Sequence, residues 1–579
     1  IYLKMVKKSI FNNLKLAMSE DNLKIILEDK QNDILFQKSK SNLNITFNRV
    51  AFIFFIFFMI SLIFSIHLIH LGSRKANNEQ GRILKNSSND LFRADILDRD
   101  GNYLSKTVNS IDIGISPTKI IDEKRLLLNL KYIFPNKNYN EIKRKIKKGK
   151  FFYFEKKVSE EKYDQLMKLG DKSIEPRENI IRLYPQKNLF SHIIGQIDND
   201  NYGISGLEKS FDEDLKRRSE PLRLTLDSDI QFLIRKELIK YNKIFSTKGS
   251  GAILMNIHSG EIIAFTSLPD FDLNKREKIT DENYINRVSK GVYEFGSVFK
   301  TFTLAAAFNE KLIEPSTEFN DLPKSLTCYG FPIREYDKEI PSDLTAEQIL
   351  IRSGNVGSVK IGQQIGQEKF KSFLTKIGIL NEIEFDIQEV GKPIEFNWGK
   401  CPLATASYGH GITTTLIQLA KAYSIISNGG FYVNPSLLKK KKIVKKKRVL
   451  NKDVSKKILP ILRKIVVTKE GTASLANVDG YELGGKTGTA NKSVGGVYSN
   501  EKINTFVSIF PISKPQFVMA VMLDESSRNE NYVYNYRDGS NFKLLGTPRN
   551  TAGWTTVEVT GQIMDKIGPI LATKYLEIN

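Results

Sequence analysis

Residues 297–308 read SVFKTFTLAAAF and follow Gly296. Small and apolar residues at this spacing predict a helix with a buried face. Residues three positions apart on a helix share a face, so the amine of Lys300 is expected beside the hydroxyl of Ser297. A serine hydroxyl is a poor nucleophile until a base removes its proton. The segment therefore predicts a nucleophilic serine at a helix start, with a lysine as its base.

Lys300 can act as a base only while its amine is uncharged. The reference pKa of lysine is about 10.4, so the pKa of Lys300 must fall toward neutrality. Burial and a second cation nearby both lower the pKa of an amine. Lys486 is the candidate for that cation. The backbone N–H groups at the helix start would also stabilise an oxyanion formed at Ser297.

Two further patterns follow in the chain, Ser353-Gly354-Asn355 and Lys486-Thr487-Gly488-Thr489. The SxxK pattern alone is weak evidence, because it begins at Ser116, Ser159, Ser297, Ser436, Ser499 and Ser540. Lys-Thr-Gly occurs once. The three patterns in this order, with SxxK opening a helix and KTGT beside predicted strands, form the set typical of β-lactamases and penicillin-binding proteins.

A competing motif overlaps the third pattern. Residues 480–487, GYELGGKT, formally match the phosphate-binding loop GxxxxGK[ST]. Such a loop needs a buried strand before it and a helix after it. Residues 472–479, TASLANVD, do not read as a buried strand, and the glycines that follow oppose a helix. The sequence therefore disfavours nucleotide binding.

The region around these motifs alternates between strand and helix patterns. Residues 252–257 and 261–266 are apolar runs joined by His-Ser-Gly, which predicts a β-hairpin. Residues 416–427, ended by Asn-Gly-Gly, predict a helix with a C-terminal stop. Residues 505–510 and 516–523 predict two more strands. Strands at both ends with helices between them favour an α+β domain.

Residues 50–71 read VAFIFFIFFMISLIFSIHLIHL, with no Lys, Arg, Asp or Glu. About 20 apolar residues span the hydrocarbon layer of a bilayer as a helix, so this segment predicts a single transmembrane helix. Basic residues flank it about equally, so the positive-inside rule gives no orientation at close range. The whole preceding tail is more basic than acidic, which leans toward a cytoplasmic N-terminus.

The chain has 579 residues and a net charge of +22, which favours anionic partners without choosing among them. Residues 439–448, KKKKIVKKKR, are interpreted as a solvated loop, and no nucleic-acid partner is expected. Two cysteines, Cys328 and Cys401, exclude a disulfide framework or a four-cysteine metal site. Whether they bond to each other stays open. With five histidines in the chain, no metal site is expected, and no cofactor is expected.

Beyond the three patterns, the chain resembles the class B penicillin-binding proteins, which are membrane-anchored D,D-transpeptidases of peptidoglycan. The resemblance extends from about the membrane span to the C-terminus. The matching stretches are RADILDRDG (93–101), RLYP (182–185), HIIG (192–195), GISGLE (203–208), TLD (225–227), SLPDFD (267–272), YEFG (293–296), GHG (409–411) and EGTA (470–473).

The resemblance implies a domain order. Residues 1–49 would form a cytoplasmic tail, 50–71 the transmembrane helix, 73–220 a mixed pedestal (dimerisation-like) domain and 221–579 the transpeptidase domain. The last would have the penicillin-recognising serine transpeptidase fold, which is β-lactamase-like, with an antiparallel sheet and helices. The enzyme would lie in the periplasm or its extracytoplasmic equivalent, anchored in the plasma (inner) membrane.

The resemblance also implies residue roles. Ser297 would attack the D-Ala-D-Ala carbonyl of a peptide stem, and Lys300 would act as base. Ser353 would pass a proton to the departing D-Ala, and Asn355 would hold Lys300 and the substrate amide. The KTGT segment would bind the terminal carboxylate through Lys486, Thr487, Gly488 and Thr489. The N–H groups of Ser297 and Thr489 would form the oxyanion hole.

Some residues depart from the family pattern. Phe295 replaces a usual Pro, Val298 a usual Thr, and Leu273 a Pro that often follows the Asp. None of these changes removes a catalytic group. Gly354 stands at a position that varies in class B proteins. The stretch TAGW (551–554) and the total length resemble the septal, FtsI-type branch, and an elongation-type enzyme is the alternative.

The expected partners follow from the same resemblance. They are peptidoglycan peptide stems on lipid-linked or nascent glycan, β-lactams as inhibitors, a membrane glycan polymerase and divisome proteins. Two other functions fit the sequence less well. A β-lactamase or penicillin sensor is disfavoured because no local motif supplies a group to activate a deacylating water, and a β-lactamase needs no pedestal. A non-catalytic scaffold would have no need to keep Ser297, Lys300, Ser353, Asn355 and Lys486.

Overall fold

The computed structural model describes residues 51–66, 92–275, 281–328, 330–394, 398–439, 447–494, 497–536 and 542–576. The chain divides into two compact units, Ile1–Asn89 and Asp90–Asn579. Most of the basic run at 439–448 lies outside the described residues, as does the cytoplasmic tail expected at 1–49.

In the first unit, residues 51–66 are helical, and their apolar side chains are exposed, such as Phe54 at 72% and Phe57 at 67%. Residues 50 and 67–71 of the predicted span lie outside the described residues. Among the residues that the structure describes, no helix has both the length and the apolar character needed to cross a membrane.

The second unit opens with a five-stranded sheet and small helices. The longest strand, β2, pairs antiparallel with three others, so the strand order is β3-β2-β1-β5 with β4 also on β2. The strands are β1 Ile96–Leu97, β2 Tyr103–Ile115, β3 Phe152–Val158, β4 Ile174–Leu183 and β5 Leu222–Arg223. The α-helices are α1 Glu123–Ile133, α2 Tyr139–Lys147, α3 Glu160–Lys168, α4 Ser191–Ile194, α5 Gly206–Ser210 and α6 Asp212–Arg217.

This sheet is stabilised by two different kinds of contact. One end packs on α1–α3 through a small apolar core that includes Ile113, Leu130 and Phe154. At the other end a buried carboxylate, Glu208, receives hydrogen bonds from Arg93 at 2.9 Å and from Arg182 at 2.8 Å. All three side chains are buried, so the two guanidinium groups offset the cost of burying the carboxylate.

The remaining elements surround a second sheet. The strands are β6 Gly249–Asn256, β7 Ile262–Leu268, β8 Glu318–Phe319, β9 Ser325–Cys328, β10 Phe331–Arg334, β11 Leu344–Thr345, β12 Gly484–Val494, β13 Val497–Phe510, β14 Phe517–Asp524, β15 Val533–Asn535 and β16 Lys543–Leu545. The α-helices are α7 Ser228–Ile244, α8 Asp281–Tyr284, α9 Lys300–Asn309, α10 Ala346–Ile351, α11 Asn355–Ile365, α12 Gln367–Lys376, α13 Lys400–Ala406, α14 Leu416–Ser427, α15 Lys452–Val467 and α16 Thr556–Lys574.

The second sheet is antiparallel, in the order β12-β13-β14-β6-β7. Every residue of β14 and of β7 is buried, so both faces of the sheet are covered. Helices α7 and α16 pack against each other and on the sheet, and α14 packs on β14, β6 and β13. Strand β12 lies at the edge, which leaves one side of its backbone available to the turn that carries Ser297.

Several expectations from the sequence are confirmed. The predicted hairpin is β6–β7, with Leu254 opposite Ala264. Helix α14 has the predicted bounds, because Thr415 caps its first turn in a capping box with Gln418. Residues 480–487 do not form the phosphate-binding loop that their motif formally matches, because Lys486 lies inside strand β12 instead of in a loop before a helix.

Candidate active site

Ser297 lies in a 3₁₀ turn, Gly296–Phe299, that runs directly into α9. The sequence predicts one continuous helix here, and the structure begins it with the tighter turn. Residues three apart are eclipsed in a 3₁₀ turn, which keeps Ser297 and Lys300 on the same side. Within residues 295–300 Ser297 alone is not buried. Its hydroxyl is therefore the group of this turn that a substrate can reach.

Lys300 is 1% exposed and begins α9. Its amine donates to the carbonyl of Ser353 at 2.5 Å and to Oδ1 of Asn355 at 2.6 Å, and lies 3.2 Å from Oγ of Ser353. These contacts bring the second predicted motif against the first. Ser353 has a φ of +58°, a left-handed conformation that is costly for a residue with a side chain. The surrounding contacts hold this strained residue in place.

Lys486, from β12, completes the cluster. It is fully buried, and its amine donates to Oγ of Ser353 at 2.9 Å and to the carbonyl of Thr487 at 3.0 Å. The hydroxyl of Ser353 thus lies between two amines. A hydroxyl both accepts and donates, so it can carry a proton from one amine toward a leaving group.

Burial changes the acid–base properties of both amines. Desolvation lowers the pKa of Lys300 to about 7, and the carboxylate of Glu335 partly opposes this shift. Desolvation, and then the charge of Lys300, lower the pKa of Lys486 well below its usual value. Like charges in one buried cleft oppose each other, so protonation of one amine disfavours protonation of the other. A lysine with a pKa near 7 can accept a proton at neutral pH.

The edge strand β12 lies in direct contact with the serine turn. A Cβ added at Gly488 would lie 2.1 Å from the carbonyl oxygen of Phe295, and one added at Gly296 would lie 2.6 Å from that of Thr489. Gly296 also has a φ of +60°. Only glycine permits this approach. The segments that carry the expected oxyanion-hole N–H groups, those of Ser297 and Thr489, are therefore adjacent.

The two threonines of KTGT have different surroundings. The hydroxyl of Thr487 lies 2.8 Å from that of Thr472, and either can donate. The hydroxyl of Thr489 donates to Oδ1 of Asn504 at 3.0 Å and accepts from the N–H of Ala552 at 3.0 Å. The single proton of Thr489 is therefore already used, whereas Thr487 can turn toward a ligand. Carboxylate binding by these residues stays a prediction.

The sequence predictions missed the residues that surround Asn355. Its side-chain N–H₂ group donates to the carbonyl of Arg334 at 2.7 Å, and its backbone N–H donates to Glu335 at 2.6 Å. Both belong to the end of the β9–β10 hairpin, where no motif marks them. The hairpin is joined to α13 by a disulfide between Cys328 and Cys401, which the sequence left open.

Two family descriptions match this chain. Residues 250–539 match the penicillin binding protein transpeptidase domain, and residues 91–237 match the penicillin-binding protein dimerisation domain. The first match contains Ser297, Lys300, Ser353, Asn355 and Lys486. The second covers the sheet of β1–β5.

Individual relatives agree with these matches. A probable peptidoglycan D,D-transpeptidase FtsI of Caulobacter vibrioides is 26% identical, over 83% of this chain and 82% of its own length. The peptidoglycan D,D-transpeptidase FtsI of Escherichia coli is 26% identical, over 66% of this chain and 70% of its own. A crystal structure of penicillin binding protein 3 from Mycobacterium tuberculosis, complexed with aztreonam, shares the fold, with a TM-score of 0.62 at 21% identity over 82% of this chain and 96% of that one.

Proposed function

The chain belongs to the penicillin-binding protein transpeptidase family, and from this we propose that it cross-links peptidoglycan peptide stems at the division septum by serine acyl transfer. The names of the FtsI relatives support the reaction and the septal branch. The observation that carries the proposal is the convergence of Lys300, Ser353, Asn355 and Lys486 in one buried cleft, where Lys300 lies three residues along the helical turn from the partly exposed Ser297.

The first half-reaction forms an acyl-enzyme. Neutral Lys300 takes the proton of Ser297 as its oxygen attacks the carbonyl of the penultimate D-Ala. The N–H groups of Ser297 and Thr489 stabilise the oxyanion. The C–N bond to the terminal D-Ala then breaks, and the departing amine receives the proton through Ser353, which lies within reach of both lysines. The products are free D-Ala and an ester at Ser297.

The second half-reaction reverses the proton path. An amine from a neighbouring stem loses a proton through the same groups and attacks the ester carbonyl. The C–O bond to Ser297 breaks, an amide cross-link forms, and the serine oxygen regains its proton. Before acylation, Lys486 and the hydroxyl of Thr487 hold the terminal carboxylate of the donor stem, because that is where the cleft offers a buried amine and a hydroxyl that can turn.

The substrate assignment is tested with a β-lactam as a probe, because such compounds acylate the serine of this family. Purified protein is incubated with penicillin and digested, and the adducted peptide is identified by mass spectrometry. The adduct is expected on Ser297, and Ser297→Ala is expected to lose labelling while keeping its melting temperature. Labelling that survives in Ser297→Ala would refute the assignment.

We also propose that residues 50–71 anchor the protein in the plasma (inner) membrane, with the N-terminus in the cytoplasm and the transpeptidase outside. The uninterrupted apolar sequence supports this, as does the exposed apolar surface of the helix at 51–66. Domains at 73–220 and 221–579 would then face the wall. Protease added to intact spheroplasts should digest the part of the chain that follows the membrane span. If that part is digested only after lysis, the transpeptidase lies in the cytoplasm and the proposed orientation is wrong.

For partners, we propose a membrane glycan polymerase and other divisome proteins that meet the anchor and the pedestal. The septal assignment predicts that depletion of the protein gives filamentous cells. Swollen round cells would instead favour the elongation-type alternative.

A further inference from the structure

We propose that Glu335 is a positioning residue for acyl transfer, because its carboxylate caps the start of α11 and so holds Asn355 against Lys300. The inference rests on the proposed function and concerns a residue outside the three motifs. Glu335 follows β10 directly and touches neither Ser297 nor Lys486 through a hydrogen bond that the described residues show.

Both carboxylate oxygens of Glu335 accept a backbone hydrogen bond at the start of α11. The backbone N–H of Asn355 donates to Oε2 of Glu335 at 2.6 Å, and that of Val356 donates to Oε1 at 2.8 Å. The first N–H groups of a helix have no partner inside the helix, and the N-cap residue usually supplies one. Here the N-cap is Gly354, which has no side chain to do so. A residue from a separate hairpin does it instead.

The same hairpin end fixes the side chain of Asn355. Its N–H₂ group donates to the carbonyl of Arg334 at 2.7 Å, which leaves Oδ1 directed at the amine of Lys300 at 2.6 Å. Backbone and side chain of Asn355 are thus held by two consecutive residues. Loss of the Glu335 contacts would free the first turn of α11 and let the amide move away from Lys300.

The hairpin is itself anchored, so Glu335 is not on a loosely held loop. Ile333 of β10 packs against Val359 of α11 and Ala404 of α13 in a small apolar cluster. The disulfide between Cys328 and Cys401 joins the hairpin to α13 as well. The apolar cluster and the disulfide therefore both fix the position of Glu335 relative to the start of α11.

Glu335 also acts on Lys300 through charge. The groups that face Lys300 are the carbonyl of Ser353, Oδ1 of Asn355, Lys486 from β12, the N-terminal end of α11 and the carboxylate of Glu335. Lys486 and the helix N-terminus favour the neutral amine. The two acceptor oxygens favour the protonated amine, and the charge of Glu335 raises the pKa of Lys300. Around the adjacent Tyr336, the charged neighbours are Asp337, Arg352 and Arg549. Removal of the Glu335 charge should therefore lower the pKa of Lys300.

The test measures the rate of penicillin acylation against pH for wild type, Glu335→Gln and Glu339→Gln. In Glu335→Gln the new side chain keeps one acceptor oxygen but places an N–H₂ group against a backbone N–H and carries no charge. At high pH, where Lys300 is neutral, the acylation rate reaches a plateau. We expect this plateau rate to fall about ten-fold in Glu335→Gln, because Asn355 is misplaced. The part of the profile in which the rate rises with pH, its acid limb, should move to lower pH, because the pKa of Lys300 falls. Glu339 is exposed on the same loop, and Glu339→Gln should change neither quantity.

Glu335→Asp separates position from charge. The shorter side chain keeps the charge but not the reach, so the plateau should fall while the acid limb stays near that of wild type. A wild-type plateau and acid limb in Glu335→Gln would overturn the inference. If that variant does not fold, as judged by its melting curve, a wild-type plateau in Glu335→Asp overturns it instead. Absence of acylation in the wild-type protein would refute the proposed function, which is a separate outcome.

Discussion

The amine of Lys486 donates a 2.9 Å hydrogen bond to the hydroxyl of Ser353. This contact joins an edge strand to a strained residue between two helices, and it places a second buried amine near Lys300. The charge of Lys300 helps to lower the pKa of Lys486, so the protonation of Lys486 depends on that of Lys300.

Lys300→Ala is expected to reduce the rate of acylation by penicillin by roughly 10²–10⁴-fold, because the proton of Ser297 then has no positioned base. The rate is measured by labelling with a fluorescent penicillin over time. Lys514→Ala removes an exposed lysine and serves as the control. A normal rate in Lys300→Ala would show that another group is the base.

The acylation rate of the wild-type protein should depend on pH through Lys300. With a pKa of about 7, half of the amine is neutral at that pH, and the neutral form predominates above it. The rate should rise about ten-fold per pH unit well below pH 7 and level off above it. A stopped-flow series from pH 5 to 9 would check this. A rate that keeps rising toward the ordinary pKa of lysine would contradict it.

Gly488→Ala should separate β12 from the serine turn, because its Cβ would lie 2.1 Å from the carbonyl oxygen of Phe295. We expect a loss of stability of about 1–3 kcal/mol and a larger loss of acylation. Gly399→Ala is the matched control, since its Cβ would make only an ordinary contact of 3.8 Å with Pro402. Melting temperature and labelling rate are measured together. Equal behaviour of the two variants would argue against the close approach.

Glu208→Ala should destabilise the protein by about 3–5 kcal/mol, because it leaves Arg93 and Arg182 buried without their shared carboxylate. Glu213→Ala removes an exposed partner of Arg217, a pair whose side chains are 66% and 79% exposed, and should change stability by less than about 1 kcal/mol. Thermal unfolding compares them. A small effect of Glu208→Ala would mean that water reaches the two arginines.

Cys328→Ser should lower stability by about 2–4 kcal/mol, because the bond to Cys401 closes a long loop, with a sequence separation of 73. Acylation should also slow, since the hairpin that carries Arg334 and Glu335 loses one of its two anchors. Addition of a reductant to the wild-type protein should reproduce both effects and leave Cys328→Ser unchanged. A reductant effect on the variant would point to a different cause.

The sequence predicted the elements whose signals are local. Helix α14 has the expected bounds because a capping residue, Thr415, and a glycine stop mark its ends. A helical start at Ser297 was expected because SxxK follows a glycine, but the tighter 3₁₀ turn there was not. Strand β12 was not predicted. Residues 484–490, GGKTGTA, contain only two β-branched residues, both threonines, so they do not show the pattern of a strand. The strand forms through pairing with β13, where Lys486 lies opposite Val507.

Contacts between distant segments were beyond the sequence patterns. Nothing near Glu335 marks it as the partner of Asn355, because a remote cap has no fixed spacing. The pairing of Cys328 with Cys401 depends on where a hairpin and a helix meet. Likewise, the sequence pattern of β12 does not predict that the hydroxyl of Thr489 forms hydrogen bonds with Asn504 and Ala552. These relationships exist only once the sheet has formed.

The position of β6 between β14 and β7 has a consequence for synthesis of the protein. Ala252 of β6 pairs with Val521 of β14, so one edge of the early hairpin has no neighbour until most of the chain has been made. Strand β12, with Lys486, is also synthesised late, and α16 is synthesised after all the other helices and strands described. A nascent chain that stalls or is cut short would therefore carry Ser297 before β12 and Lys486 can complete the cleft around it.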